Sequence, residues 1–315
     1  MNHINSIMVA TDFSGPASSA VQRAARLAAQ HRARLSMVHV IETPRFLAWR
    51  DVLGPPRDLR QAAARAHAIL AGQADTLAAA HDIGVDVEVL VGDPVEALRQ
   101  AVGSAGLLVL GQRQGGLARD LILSHTADQL LNKSRRPILV VKSAGQSPYQ
   151  RVLVPVDFTP RSEVACTFAA TLAPAAHLHL FHSLPTWHET KLRLYDVPGR
   201  FILDHRARLR EGARKQMAGV VQRACIDADR VELHFGLGDA WHTALQHESA
   251  IAADLIVVGK QWSSAWTDFM LGSMTRRLLA KSVCDIMVIP SQAVLIGSGA
   301  VPSPVPGQLD AAGSR

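Results

Sequence analysis

An internal repeat of about half the chain length constrains the fold of this 315-residue sequence more than any other feature. Five segments recur in the same order, each displaced by about 145 residues. The clearest are SIMVATDFSGPAS (6–18) with RVLVPVDFTPRSE (151–163), LSMVHV (35–40) with LHLFHS (178–183), and GLLVLGQRQ (106–114) with DLIVVGKQW (254–262). Five ordered matches indicate a duplicated domain, and we place the two copies, domain 1 and domain 2, at residues 1–145 and 148–291.

Each copy alternates apolar strands with helical patterns. A buried strand (7–10 and 152–156) is followed by a helix N-cap, Ser14 or Thr159, and by an alanine-rich helical pattern. Four more strands and their helices complete the unit, and continuous apolar runs in the last two predict burial on both faces of a sheet. The pattern predicts an α/β fold, with two tandem five-stranded parallel-sheet sandwich domains of the Rossmann-like type. The Gly-, Pro- and Ser-rich tail, 292–315, is predicted to be disordered.

Composition and charge exclude several classes of protein. With 48% hydrophobic and 19% charged residues, the chain is globular. The net charge of +6 is not gathered into a basic stripe with interleaved aromatics, so no nucleic acid is predicted as a partner. No apolar run approaches the ~18–20 residues that span a bilayer, and no signal-peptide pattern is present, so no membrane association is predicted. Three widely separated cysteines fit a reducing compartment, and we predict a cytoplasmic protein.

Acidic residues and glycines follow strands one and four of each copy. Asp12 and Asp157 end strand one, and Gly111 and Gly259 end strand four. In an open parallel sheet, ligands bind at the carboxyl ends of strands near a topological switch point, so these residues are expected to meet there. Glycine would let a phosphate approach the backbone, and the aspartate would accept hydrogen bonds from a base or sugar. The alternative stays open that the aspartates only cap helices and the glycines only form turns.

The motifs VATDFS and VPVDFT on strand one, with the turns VGDP and LGDA, resemble those of universal stress proteins. The resemblance covers both copies, residues 1–290, so the chain resembles a tandem universal stress protein. It implies a five-stranded α/β domain of the adenine-nucleotide alpha hydrolase-like type in each copy, with dimer-like packing through the last strands. It also makes ATP a candidate ligand. Some family members bind ATP through G-x-x-G-x9-G-[ST] and a strand-one aspartate, and others lack the pattern and do not bind it.

Residue by residue, the second copy retains more of that glycine motif. Gly259, Gly272 and Ser273 match it, and with Asp157 they form the ATP site that the resemblance implies for domain 2. Trp262 stands in place of the second glycine, where a large side chain would fill the space that the triphosphate needs.

The first copy departs further from the motif. Gly111 and Asp12 match, but Gln114, Ser124 and His125 occupy the other three positions. This site is therefore predicted to be degenerate and unable to bind ATP in the family's way. Two interpretations of His125 stay open: a cation that compensates for the loss, or an ordinary turn histidine.

No catalytic or metal-binding motif accompanies these sites. The sequence contains no Walker A, GxSxG or HExxH pattern, and no base lies near Ser273 in sequence, so we predict that the protein is not an enzyme. The run HLHLFH offers three histidines, but His182 points to the opposite face of the strand from His177 and His179. With no cysteine or carboxylate nearby in sequence, no metal ion is predicted.

Three aromatics, Trp262, Trp266 and Phe269, lie between the glycines of the second copy in a chain with only 5% aromatic residues. They are candidates for a partner-binding patch or, equally, for cover of the protein's own core. We predict a non-catalytic stress-response or regulatory module with a degenerate nucleotide site, whose protein partners bind at the strand-end cleft or at these aromatics. The alternative is an ATP-binding regulatory protein that uses domain 2, with at most slow hydrolysis. The tandem domains are expected to pair as an intramolecular pseudo-dimer, with a further homodimer left open.

Overall fold

A computed structural model describes residues 4–42, 57–112, 125–142, 145, 147–186, 198–260 and 272–290. Strands and helices alternate along these ranges. The strands are β1 (Ser6–Ala10), β2 (Arg34–Glu42), β3 (Val85–Gly92), β4 (Leu107–Gly111), β5 (Ile138–Val141), β6 (Arg151–Pro155), β7 (His177–Leu184), β8 (Val231–Leu237), β9 (Leu255–Gly259) and β10 (Asp285–Ile289). The α-helices are α1 (Gly15–His31), α2 (Arg57–His81), α3 (Pro94–Ala101), α4 (His125–Lys133), α5 (Pro160–Leu172), α6 (Gly199–Arg223), α7 (Ala240–Ile251) and α8 (Ser273–Lys281). The predicted disordered tail lies outside the described residues.

These strands form one sheet, in the order β3-β2-β1-β4-β5-β10-β9-β6-β7-β8. Neighbouring strands within each half are parallel, which confirms the predicted α/β class and the parallel sheet of each copy. The halves meet at the antiparallel pair β5–β10, where Leu139 lies opposite Met287. In each half the chain reverses its direction of travel across the sheet between strands one and four. That switch point is where an open α/β sheet leaves a crevice.

Helices cover both faces of the sheet. Helices α1, α2, α5 and α6 pack on one face, and α3, α4, α7 and α8 pack on the other. The apolar run of β4 supplies both cores, because Leu107 and Val109 point to one face and Leu108 and Leu110 to the other. Each core contains residues of both halves, so the sheet is buried continuously across the join. None of the helices within the described ranges is long and apolar enough to cross a membrane.

The two predicted N-caps behave differently. Ser14 caps α1, and its hydroxyl oxygen accepts a hydrogen bond from the backbone N–H of Ala17 at 3.4 Å. Thr159 occupies the N-cap position of α5 but makes no side-chain capping bond. Its hydroxyl instead donates to Oδ1 of Asp157 at 2.5 Å, because a carboxylate accepts a stronger hydrogen bond than a neutral group does.

Candidate functional site

A cleft opens in each half at the switch point between strands one and four. The volumes are about 260 Å³ in domain 1 and about 280 Å³ in domain 2. The residues singled out from the sequence line these clefts: Asp12 and Gly111 in domain 1, and Asp157, Gly259, Gly272 and Ser273 in domain 2. The fold therefore brings together residues that are about a hundred positions apart in sequence.

The loop that carries each aspartate is built in the same way in both halves. Phe13 and Phe158 follow the aspartates, and both have a φ of 62°. Their rings contact His39 and His182 with centroids 4.5 and 4.3 Å apart. Nδ1 of each histidine donates to the backbone carbonyl just before the aspartate, at 2.8 Å. A left-handed backbone costs about 1–3 kcal/mol for a bulky residue, so these ring and hydrogen-bond contacts hold a strained loop in place.

Asp157 is held by three hydrogen bonds to one of its carboxylate oxygens. Its Oδ1 accepts hydrogen bonds from the Thr159 backbone N–H at 3.1 Å and from the hydroxyls of Thr159 and Ser162 at 2.5 and 2.6 Å. Burial opposes ionisation of this carboxyl, but the hydrogen bonds from Ser162 and Thr159 outweigh it and lower the pKa of Asp157. Ala17 stands where Ser162 does in the other half, so Asp12 lacks that hydroxyl contact. The ionised Asp157 keeps Oδ2 without a donor among the described residues.

The glycines that end strand four lie against the first turn of a helix. A Cβ at Gly111 would lie 2.4 Å from the carbonyl oxygen of Pro16, and a Cβ at Gly259 would lie 3.1 Å from Cβ of Arg161. Close packing of sheet and helix therefore accounts for both glycines. Phosphate binding to the backbone is not needed to explain why these two positions are glycine.

The two clefts differ in charge. Among the described lining residues, the domain 1 cleft carries the carboxylates of Asp12 and Glu42 and no basic side chain. The domain 2 cleft pairs one carboxylate, Asp157, with one guanidinium, Arg161. A carboxylate repels an anion, whereas an arginine attracts it, so the domain 2 cleft, which has the arginine among its described lining residues, is the one suited to a phosphate-bearing ligand.

Helix α8 starts at the domain 2 cleft. Its N-cap is Gly272, with φ −57° and ψ 149° and no side-chain capping bond, and Ser273, Met274 and Thr275 of its first turn line the cavity. The first N–H groups of a helix have no partner within the helix and carry a partial positive charge. This end of α8 adds a second electropositive element beside Arg161.

The sequence patterns did not single out Arg161, Ser162 or Glu42. The repeat nevertheless contained the signal, because Arg161 and Ser162 align with Pro16 and Ala17 of the first copy. This exchange of apolar for polar residues at the start of a helix makes the cleft wall of domain 2 more polar than that of domain 1. Several residues named above lie outside the described ranges: Gln114, Ser124, Trp262, Trp266 and Phe269. The backbone of His125 begins α4.

The model of the universal stress protein family matches the chain twice, at residues 3–142 and 148–290. A universal stress protein of Mycolicibacterium smegmatis is 28% identical over 303 residues, which cover 90% of this chain and 96% of that protein. Universal stress protein YxiE of Bacillus subtilis is 23% identical over 146 residues, which cover 45% of this chain and 99% of that protein.

Solved structures show the same architecture over nearly the whole chain. A universal stress protein of Archaeoglobus fulgidus superposes with a TM-score of 0.68 at 19% identity, covering 91% of this chain and 98% of its own. A putative universal stress protein of Pseudomonas aeruginosa gives a TM-score of 0.58 at 18% identity, covering 93% and 95%. At these identities the likeness shows the fold, while the family model matches both halves of the sequence. The chain belongs to the universal stress protein family, as a tandem member with two domains.

Proposed function

We propose that this protein is a non-catalytic regulatory universal stress protein with two unequal clefts. The domain 2 cleft binds an adenine nucleotide, and the degenerate cleft of domain 1 does not. The observation that carries this proposal is the difference in charge: Asp12 and Glu42 line one cleft, and Asp157 and Arg161 line the other. Of the two functions considered from the sequence, the geometry of the described residues favours the ATP-binding regulator over a module that acts through protein contacts alone.

The proposed ligand follows from the groups that line the domain 2 cleft. Arg161 and the start of α8 supply positive charge and N–H donors for phosphate oxygens. Asp157 supplies an ionised carboxylate that accepts hydrogen bonds from the polar edge of a base or a sugar. The adenine nucleotide is preferred because Gly272 and Ser273 match the ATP motif of those family members that bind it; Gly259 matches as well, but its packing against Arg161 already accounts for it.

Binding without turnover is proposed because two of the cleft hydroxyls, those of Ser162 and Ser183, already donate hydrogen bonds within the protein. Ser162 donates to Asp157 at 2.6 Å, and Ser183 donates to the backbone carbonyl of Gly238 at 2.8 Å. His182 donates through Nδ1 to the backbone, which fixes its ring beside Phe158. A nucleophile needs an adjacent base that accepts its proton. Ser162 has the Asp157 carboxylate beside it, but the lowered pKa of Asp157 makes that carboxylate a weak base. Hydrolysis of bound ATP would be slow at most.

We further propose that a protein partner contacts the mouth of the domain 2 cleft. Residues 260–271 lie between Gly259 and Gly272 in the chain, and both of these glycines line the cleft. That segment contains the tryptophans and the phenylalanine singled out from the sequence, and aromatic side chains are common anchors of protein interfaces. A partner bound there would respond to whether the cleft is filled.

Titration calorimetry of the full chain with Mg²⁺–ATP tests the proposed nucleotide site. We expect one binding event for the wild type and, in Arg161→Ala, affinity reduced by about tenfold or more, as for the loss of a hydrogen bond to a charged group. Arg208→Ala removes the same charge from an exposed position on α6 and should leave the affinity unchanged. Equal weakening in both variants, or no heat at millimolar ATP, would contradict the proposal.

A further inference from the structure

Two histidines and a glutamate converge in domain 2, outside the set of residues that line its cleft. Nδ1 of His179 lies 2.9 Å from Nε2 of His234, and one ring nitrogen donates to the other. Oε2 of Glu232 lies 3.4 Å from the same atom of His179 and 3.6 Å from the same atom of His234. Three potential ligand atoms of three side chains therefore form one small triangle.

Strand pairing creates this cluster. His179 on β7 lies opposite Glu232 on β8, and His234 follows Glu232 by two residues, so all three side chains share one face of the sheet. Sequence inspection of HLHLFH missed the site because the carboxylate and the second imidazole come from the next strand, more than fifty residues away.

The triangle has the size of a metal coordination face. Zinc binds imidazole nitrogen and carboxylate oxygen at about 2.0–2.2 Å, so neighbouring ligand atoms of a tetrahedral site lie about 3.3–3.5 Å apart. The three observed edges, 2.9, 3.4 and 3.6 Å, are close to that spacing. Small shifts of two side chains would place all three atoms around a single ion.

Helix α7 brings a third imidazole to the cluster. The ring centroid of His247 lies 4.1 Å from that of His234, and Nε2 of His247 is buried without a hydrogen-bond partner among the described residues. A buried polar nitrogen without a partner costs free energy, and an ion could compensate for this. The side chain of Glu232 is 66% exposed, which leaves a route for the ion from solvent.

We propose that His179, Glu232 and His234 bind one divalent transition-metal ion of the zinc class, with the fourth coordination position beside His247. Two imidazoles and one carboxylate are a ligand set that suits Zn²⁺ and related ions, whereas Mg²⁺ and Ca²⁺ prefer oxygen ligands.

The first domain does not repeat this arrangement. Strand pairing places Ser36, Asp86 and Glu88 at the positions that correspond to His179, Glu232 and His234. That set lacks imidazole altogether. The proposed ion therefore belongs to domain 2 alone, and the site does not rest on the nucleotide proposal.

Calorimetric titration of the chelator-treated full chain with Zn²⁺ alone tests the proposal. We expect one ion per chain and affinity at least about tenfold weaker in Glu232→Gln, since even changes around metal ligands cost that much. Glu232 is exposed, so this variant is expected to fold. Asp86→Asn is the matched control: it removes an exposed carboxylate at the corresponding position of domain 1 and should leave the affinity unchanged.

Thermal unfolding provides the second measurement. Zn²⁺ that binds the native state should raise the melting temperature of the wild type and of Asp86→Asn but not that of Glu232→Gln. The proposal is overturned if the wild type shows no heat with Zn²⁺, which would leave a histidine pair that only shares a hydrogen bond. Equal binding by Glu232→Gln and the wild type would also overturn it, because other histidines among the 14 in the chain would then bind the ion.

Discussion

Glycine at the end of β4 is required by the close approach of helix α1 to the sheet. A Cβ atom at Gly111 would lie 2.4 Å from the carbonyl oxygen of Pro16. This distance is shorter than an ordinary contact between a Cβ and an oxygen atom. At Gly259 the corresponding contacts are with Arg161, at 3.1 Å to Cβ and 3.2 Å to the carbonyl oxygen. The first helix therefore packs more tightly in domain 1 than in domain 2.

This difference predicts a graded response to the same substitution. Gly111→Ala should lower the free energy of unfolding by about 1–3 kcal/mol, the usual cost of overpacking, and Gly259→Ala should lower it by less. Gly84→Ala is the control, because a Cβ there meets no atom within 4 Å. Urea denaturation of the three variants measures the order. A loss in Gly84→Ala as large as in Gly111→Ala would contradict the packing explanation.

Helices of one half are capped by lysines of the other. Nζ of Lys142, which follows β5, donates at 2.7 Å to the carbonyl of Leu279 near the end of α8. Nζ of Lys260, which follows β9, donates to the carbonyls of Leu131, at 2.9 Å, and Asn132 near the end of α4. A cation at a helix C-terminus satisfies free carbonyls and interacts favourably with the helix dipole. The two contacts are reciprocal and hold the last helices of both domains at the join.

The buried Lys260 should make stability depend on pH above neutrality. Burial lowers the pKa of Lys260 from 10.5 to about 8, so between these values the unfolded chain holds a proton that the folded chain has released. The free energy of unfolding should therefore rise between about pH 8 and about pH 10, and the rise should be smaller in Lys260→Met. Urea denaturation at several pH values measures both slopes. Identical slopes would mean that Lys260 does not titrate in the folded protein below pH 10.

Elements whose signals are local in the chain could be predicted from the sequence. The apolar run of β4 and the alternation of strand and helix predict the sheet, because both follow from which side chains must be buried. The contact of Lys260 with α4 could not be predicted, since it joins residues 129 apart and depends on how the two domains meet. The difference in charge between the two clefts could be predicted only in part. Comparison of the two copies shows that Arg161 replaces Pro16, but only the folded structure shows that Arg161 lines a cleft.

A buried charged group connects the two halves of the molecule. Asp285 on β10 is fully buried and accepts hydrogen bonds from the Lys142 backbone N–H at 2.9 Å and the Tyr149 hydroxyl at 2.7 Å. Nε of Arg23 on α1 lies 3.4 Å from Oδ2 of Asp285, and its guanidinium lies 4.3 Å from the centre of the Tyr149 ring. Arg23 and Lys142 of domain 1 therefore share one polar cluster with Tyr149 and Asp285 of domain 2, and we expect the two halves to unfold together.

Asp285→Ala should destabilise the whole protein by about 3–5 kcal/mol, because it leaves the buried Arg23 without its counter-charge. The double variant Arg23→Met with Asp285→Leu removes both charges and should recover most of that loss. Calorimetric unfolding should show one transition in the wild type. Two separate transitions in the wild type would contradict the shared cluster as a link between the halves.

At the scale of the whole molecule, the central claim is that two copies of one domain have diverged into one nucleotide cleft and one that cannot bind it. Equilibrium dialysis of the full chain with labelled Mg²⁺–ATP tests this most directly, because it counts sites. We predict one nucleotide per chain, lost in Asp157→Ala and retained in Asp12→Ala, the corresponding change in the other copy. Two nucleotides per chain, none, or loss in Asp12→Ala would contradict the claim.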